Sequence, residues 1–445
     1  MKICVINGSP KGNASVTLQT LLYLQNRFPE CEFNFLDVGQ KLRSFERDMT
    51  SARLAIESAD ILLFSYPVYT FMVPYQLHRF IELLKMQGLD LSGKFATQIS
   101  TSKHFFDMTA HKFIEENCYD LGLKYIKGLS ADMDDLLEAA GQQEALDFFK
   151  YLLFCVKNNL FETPPKNPAP TAPSYAPSLT LTPKSDRFDT VIVTNAEPND
   201  RALSAMLTDF QAVYPYHSRI INIAEFPFVG GCLGCFNCAS NGKCVYNDGF
   251  DTFLREKIQT ASAIVYAFTV KDHSMGASFK IYDDRQFCNG HRTVNMGMPV
   301  GYLVSGDYAH EQNLQTIIEG RCEVARNFLA GVATNAAEIC AMSDKLCYAL
   351  ENSLVLPQNF YGVGGMKIFR DLIYVMRGLM REDHKFYKEH GIYDFPQKKK
   401  GTIIKMQFVG LMMSNPKVRL KMRSKMNSAI VAPYKKVIEK NSGKK

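Results

Sequence analysis

Four cysteines fall within thirteen residues, at Cys232, Cys235, Cys238 and Cys244, with the spacing C-x2-C-x2-C-x5-C. Thiolates this close can turn onto one centre, and so compact a run suits a four-iron cubane better than a single tetrahedral ion. Structural zinc ordinarily uses two C-x2-C knuckles separated by a dozen or more residues. Spacing leaves three states open: an iron–sulfur cluster, zinc, or unmetallated thiols. The eight scattered cysteines read as small buried residues.

A second constellation lies at the amino terminus. The apolar run Lys2–Asn7 passes into Gly8-Ser9-Pro10-Lys11-Gly12-Asn13-Ala14-Ser15, and a helical pattern follows. Phosphate binding needs backbone N–H groups, hydroxyls and a positive helix end converging on one point. Ser9, Asn13 and Ser15 can donate hydrogen bonds, and Lys11 adds charge. The same residues would also serve a polar turn with a capping serine. Two further loops follow strand-like runs: Pro67-Val68-Tyr69-Thr70-Phe71-Met72 after the third, and Ser100-Thr101-Ser102-Lys103 after the fourth. Crevices at the carboxyl ends of strands, where an open sheet reverses its order, are where such folds bind ligands.

These loops need a rigid frame, and the chain supplies one twice. Strand-length apolar runs at Lys2–Asn7, Glu32–Val38, Ala59–Tyr66, Phe95–Ser100 and Leu123–Leu129 alternate with helical periodicity, which predicts βαβ units around a parallel sheet. Seven prolines between Glu162 and Ser185 interrupt the pattern and predict an extended linker. Alternation then resumes, with strands expected at Thr190–Asn195, Ile220–Phe226, Ile264–Val270 and Pro299–Ser305 and a long helix at Leu314–Leu329. The expected fold is α/β: two doubly wound parallel-sheet domains in tandem, at 1–160 and 187–355. A proline-rich linker at 161–186 joins them, and a helical, basic extension occupies 356–445.

The Gly-Ser-Pro-Lys…Asn turn and the Pro-Val-Tyr loop together resemble the NADPH-dependent FMN reductases of the flavodoxin-like superfamily, over roughly residues 1–150. The resemblance makes both domains flavodoxin-like and implies FMN, with its phosphate at Ser9, Lys11, Asn13 and Ser15. It places the flavin ring against Pro67, Val68, Tyr69, Thr70, Phe71 and Met72, and lets Ser100 and Ser102 close over it. The family's turn ordinarily has Arg where Lys11 stands, and a longer loop before its Asn. The cysteine run, with Asp248 and Asp251 after it, is similar to that of the iron–sulfur flavoproteins, whose motif follows the second strand of such a fold. That similarity implies a 4Fe-4S cluster on Cys232, Cys235, Cys238 and Cys244. The second half departs from the pattern elsewhere. Its first turn carries Glu197 and Asp200 where a dianion would sit, and Thr269-Val270-Lys271-Asp272 replaces the Pro-Val-Tyr loop. One FMN in the first half and the cysteine centre in the second are therefore expected.

Charge is unevenly spread. Residues 398–445 hold fourteen Lys or Arg against Glu439, so that of the net +6 this stretch carries +13 and the remainder −7. Its apolar segment Gly401–Met413 is too short to span a bilayer. Either it packs on the body of the protein, or it attaches peripherally to an anionic membrane face. No basic platform interleaved with aromatics favours nucleic acid. Twelve cysteines and no secretory leader point to a reducing cytoplasm. These features read as a flavin oxidoreductase passing electrons between a reduced donor, FMN and the cluster. NAD(P)H or ferredoxin could serve as donor, the acceptor could be a small molecule or a protein, and homo-oligomers are compatible with the sequence. The alternatives are an NAD(P)H-dependent FMN or quinone reductase with a vestigial cysteine motif, and a non-enzymatic metal-binding scaffold.

Overall fold

The alternating runs become two all-parallel sheets in a computed structural model that describes residues 1–165 and 175–442. In the first half, β1 (Lys2–Asn7) is followed by α1 (Val16–Arg27), β2 (Glu32–Leu36), α2 (Val38–Arg47), α3 (Thr50–Ser58) and β3 (Ile61–Pro67). Then come α4 (Tyr75–Met86), β4 (Phe95–Ser102), α5 (Asp107–Asp120), the short β5 (Lys124–Tyr125) and β6 (Leu129–Asp132), and α6 (Ala139–Lys157). The order across the sheet is β2-β1-β3-β4-β5, with β6 also on β4. Burial on both faces explains the unbroken apolar stretch Ile61–Phe64. Ile3, Val5, Leu63 and Ile99 meet Leu21, Leu24, Phe149 and Leu152 of α1 and α6 on one side.

The second half repeats the plan. It comprises β7 (Ser185–Thr194), α7 (Arg201–Val213), β8 (Tyr216–Asn222), the short α8 (Asn237–Asn241) and α9 (Phe250–Phe253), β9 (Ala263–Thr269) and α10 (Gly276–Arg285). It continues through β10 (Pro299–Ser305), α11 (Gln312–Val324), β11 (Phe328–Ala333) and α12 (Ala336–Asn352). Its order β8-β7-β9-β10-β11 is the same doubly wound arrangement, and the fold class expected from sequence is the one observed.

Several boundaries differ from expectation. The strand expected at Ile220–Phe226 runs from Tyr216 to Asn222, because pairing with β7 begins at the polar His217-Ser218-Arg219 stretch, which alternation does not mark. The run Leu123–Leu129 is divided, since Gly128 lies so close to Gln98 that a Cβ there would stand 2.3 Å from its carbonyl oxygen. The helix expected over Leu314–Leu329 ends at Val324, and Arg326 turns the chain at φ 56° into β11, which periodicity did not announce. Of the proline-rich stretch, residues 166–174 lie outside the described residues. Residues 178 and 179 are tied to α7 by Asp209, which accepts from the Ser178 and Leu179 amides.

The halves meet through equivalent helices, α4 against α10 and α5 against α11. The chain divides into a unit of Met1–Phe386 and a second of Tyr387–Lys445. The first also contains α13 (Phe360–Val375) and the start of α14 (Arg381–Glu389), and the second contains α15 (Lys400–Met413) and α16 (Pro416–Ser442).

Candidate functional site at the junction of the two halves

The turn after β1 is built to leave donors free. Gly12 takes φ +53°, a conformation costly for residues with a Cβ, and opens a single helical turn before α1. Ser15 stands at the N-cap of α1 and is 2% exposed, yet its side chain makes no capping bond. Ser9 is buried, its hydroxyl accepting from the Lys11 amide at 3.3 Å, while Asn13 is exposed. An uncommitted hydroxyl at a positive helix end is what a phosphate requires, so the turn fits the group implied by the resemblance.

Lys11 does not simply face the turn. Its ammonium lies 5.0 Å from the centre of the Phe236 ring, inside the cysteine motif of the other half. Burial pulls its pKa down, against the opposing influence of the Cys235 and Cys232 thiols.

The loop after β3 is strained and held. Thr70 and Phe71 adopt φ of 43° and 70°, a left-handed backbone that costs on the order of 1–3 kcal/mol per non-glycine residue. The second half stabilises it. Lys280 of α10 donates to the Tyr69 carbonyl at 2.9 Å and to the Thr70 hydroxyl, and pairs with Asp284. Asp284 in turn accepts from the Thr70 hydroxyl and the Tyr75 amide, each at 2.7 Å. Arg321 of α11 donates to the Thr70 carbonyl at 3.2 Å and pairs with Asp283 at 2.8 Å. Pro67 ends β3, Val68 follows it, and Tyr69 and Met72 form the bridge that closes the loop.

The fourth-strand serines are differently placed. The Ser100 hydroxyl bonds the His111 imidazole at 2.8 Å, and Ser102 accepts from the His104 amide at 2.9 Å, so both are engaged within the first half. Beyond them the chain closes with aromatics, Phe105 stacking on Phe369 of α13 at 4.0 Å and Phe106 on Phe71 at 4.2 Å.

The cysteine segment lies directly on this surface. Gly234, at φ +60°, approaches so closely that a Cβ there would stand 2.0 Å from the Tyr69 hydroxyl and 3.3 Å from Lys11 Cε. The Tyr69 hydroxyl is buried without a hydrogen-bond partner at that point. The Gln76 amide reaches the Cys232 carbonyl at 3.5 Å. Arg285, 1% exposed, organises the segment: it clasps Asp248 through two 2.7 Å bonds, donates to the Gly230 carbonyl at 2.9 Å and lies 3.8 Å from the Cys244 sulfur. On the far side Asp383 of α14 holds the loop beyond Cys288, pairing with His291 at 3.0 Å and Arg292 at 3.2 Å.

The thiols are not gathered as a tetrahedral ion would gather them. Among the described residues no three cysteine sulfurs lie within 4.8 Å of one another, whereas zinc–sulfur bonds of ~2.3 Å put tetrahedral sulfurs roughly 3.8 Å apart. Cys238 donates to the Phe287 carbonyl at 2.7 Å. Burial raises the thiol pKa of Cys232 strongly, and that of Cys238 to about 11. The half-buried Cys232, Cys238 and Cys244 and the exposed Cys235, with Lys11, Arg285 and Arg292 nearby and an unpartnered tyrosine hydroxyl beside them, fit an anionic centre that supplies charge and sulfide acceptors. The donor set is compatible with the implied cluster.

Between the loop after β3 and the second half's β9, β10, α10 and α11 is a cavity of about 230 Å³, lined by Thr70, Phe71, Phe287, Tyr302, Arg321 and Asn327 among others. Arg321 Nε and Asn327 Oδ1 are buried there without protein partners.

In the second half, the turn that would bind phosphate is occupied by its own acid. Asp200 caps α7, accepting from the Leu203 amide at 3.1 Å and from the Thr269 hydroxyl. Asn195 is committed to Ser278 at 2.8 Å. Sequence reasoning missed Arg285, Lys280, Asp284 and Asp383. The one signal was the dense run Lys280-x2-Asp283-Asp284-Arg285 on a helix that has to be buried.

Residues 1–113 match the NADPH-dependent FMN reductase family. No curated protein matches the chain. Among solved structures, it is similar to general stress protein 14 of Treponema denticola in complex with FMN (13% identity, 35% of this chain and 99% of that one, TM-score 0.30). It is also similar to an NAD(P)H:quinone oxidoreductase of Methanothermobacter marburgensis (13%, 37% and 98%, TM-score 0.28). A third is the Trp repressor binding protein of Bacillus subtilis (20%, 33% and 96%, TM-score 0.26).

Proposed function

We propose that the protein is a flavin oxidoreductase that binds one FMN in its first half and a four-iron cluster in its second, and moves electrons between them. The observation that carries this reading is the contact of Gly234 and Phe236 with Tyr69 and Lys11, which puts the cysteine segment against the turn and loop where the resemblance implies flavin, within the stretch that matches the family. Bound FMN would supply two-electron exchange with a reduced donor, and the cluster single-electron transfer.

The chain's own part is positioning, tuning and shielding. Ser15, Ser9 and the amides of the turn would hold a phosphate. The loop Tyr69–Met72, locked by Lys280, Asp284 and Arg321, presents a rigid wall to a flat ring. Lys11 and Arg285 offset negative charge on the cysteine centre. The cavity beside Thr70 and Phe71 offers Arg321 and Asn327 to an electron donor or acceptor small enough to enter it, with NAD(P)H, ferredoxin or a quinone as candidate redox partners.

Protein purified without oxygen should carry about one FMN and four iron atoms per chain. In a Cys235→Ala protein the iron should be lost and the flavin kept. Stoichiometric zinc with no iron after reconstitution would overturn the cluster assignment; absence of flavin would overturn the whole reading. A second reading, an NAD(P)H-dependent FMN or quinone reductase with a metal-free cysteine segment, draws on the bond from Cys238 to the Phe287 carbonyl. It predicts full reductase turnover in the Cys235→Ala protein.

A further inference from the structure

We propose that α15 and α16 form a docking surface for an anionic lipid bilayer. In α15 no residue is buried, although the helix reads Lys-Gly-Thr-Ile-Ile-Lys-Met-Gln-Phe-Val-Gly-Leu-Met-Met. Ile404, Phe408 and Leu411 are exposed by 65%, 61% and 72%. These three recur at i, i+4 and i+7 and so form one stripe, and the exposed Ile403, Met406 and Met412 widen it beyond what a single neighbouring helix would cover. α16 meets it at the Ser414-Asn415 corner and exposes Leu420, Ile430 and Tyr434 in turn.

Fourteen residues of helix extend about 21 Å, short of a bilayer's ~30 Å hydrocarbon core. No helix among the described residues is long and apolar enough to cross a membrane. The geometry is that of a segment lying in the headgroup region, with its apolar side chains below that plane and its cations in it.

Charge selects the occupant. Lys398, Lys399 and Lys400 precede α15, and Lys417, Arg419 and Lys421 open α16, within a stretch of fourteen Lys or Arg and one acid. A second copy of the chain would bring another +13 against this one, and the repulsion opposes pairing. Nucleic acid would meet the cations but leave Ile404, Phe408 and Leu411 in water. An anionic bilayer satisfies both sets, and exposed apolar patches rimmed by charge ordinarily mark such sites.

The test is sedimentation of the full-length protein with vesicles of phosphatidylcholine alone or with about a third phosphatidylglycerol. Binding to the anionic vesicles is expected, with at least about tenfold weaker binding to the neutral ones or in high salt. Ile404→Glu/Phe408→Glu should also lower anionic-vesicle binding at least about tenfold. Both side chains are exposed, so the fold should survive, which the circular dichroism and melting temperature of the variant would verify. Lys417→Glu/Lys421→Glu should remove the lipid selectivity. Equal binding by wild type and both variants would overturn the proposal. So would self-association without vesicle binding, or duplex DNA competing fully for the same surface.

Discussion

Glu82 and Asp284 do for each other's half the same thing. Asp284 accepts the Tyr75 amide at the start of α4, and Glu82 accepts the Ala277 amide at the start of α10, at 2.7 and 2.9 Å. Each carboxylate caps the opposite half's helix and favours the positive helix end it faces. The loops ahead of these helices match as well, closed by the bridges Tyr69–Met72 and Lys271–Ser274. The surroundings differ. Asp284 shares a fully buried site with Lys280, whereas Glu82 pairs with the partly exposed Arg79 and Lys271.

That difference sets the first prediction. Asp284→Asn leaves the buried Lys280 ammonium only Asp283, at 3.3 Å and shared with Arg321, and should cost about 3 kcal/mol. Glu82→Gln keeps a hydrogen-bond acceptor and should cost less than about 2 kcal/mol. Urea denaturation of the two variants would separate them. Equal losses would mean that Lys280 draws its compensation elsewhere.

Gly234 offers a second test. Alanine there takes on a left-handed backbone, at roughly 1–2 kcal/mol, and also collides with the Tyr69 hydroxyl. Gly234→Ala should displace the cysteine segment and lower iron content. Adding Tyr69→Phe removes the colliding oxygen and should restore iron while leaving the backbone cost. A double-mutant cycle on melting temperature and iron content reads the coupling.

The junction also titrates. His273 lies between Asp120 at 3.1 Å and Glu311 at 3.0 Å, with Glu116 close by and Lys85 on Asp120. Burial alone would lower its pKa, but the two carboxylates raise it to about 10. An imidazolium raised in this way contributes stability that is complete below its ordinary ~6.5 and is lost as pH rises through 10. Burial raises Glu116 to about 7, and its contribution is lost as pH rises from the ordinary carboxyl range through that value. Stability should therefore begin to fall near pH 4.5 and go on falling to pH 10, by roughly 2 kcal/mol above pH 6.5 once screening at the exposed Asp120 is allowed for. Denaturant midpoints across that range would show it. His273→Gln should flatten the upper part of the curve and Glu116→Gln the lower.

Flavin stoichiometry tests the division of labour. Replacing Ser9 and Asn13 with glutamate should abolish FMN retention, because negative charge then faces the dianion. Glutamate at Asn195, beside an acid already capping α7, should leave retention unchanged. Two flavins per chain by absorbance and protein mass would contradict the assignment of one FMN to the first half.

The sheets were legible because strands buried on both faces read as unbroken apolar runs, as at Ile61–Phe64 and Ala263–Phe268. β8 was misplaced because an edge strand tolerates His217 and Arg219, and β11 was missed because a single left-handed residue, Arg326, separates it from α11. The cysteine run and the glycine turn were visible as local patterns, since both depend on near neighbours in the chain. Their contact was not. It rests on Lys280 and Asp284, which the fold pairs across more than two hundred residues, and on Arg285, which clasps Asp248; in a sequence all three charges read as surface.

The shared junction of α4 with α10 and α5 with α11 has a consequence for behaviour on dilution. Two separate polypeptides would come apart at this surface as their concentration fell, and a pocket assembled from both would vanish with them. Here one chain carries both walls, so their encounter is governed by an effective local concentration that the solution cannot lower. Loss of activity at nanomolar protein would then have to arise from cofactor escape rather than from the parting of the two halves.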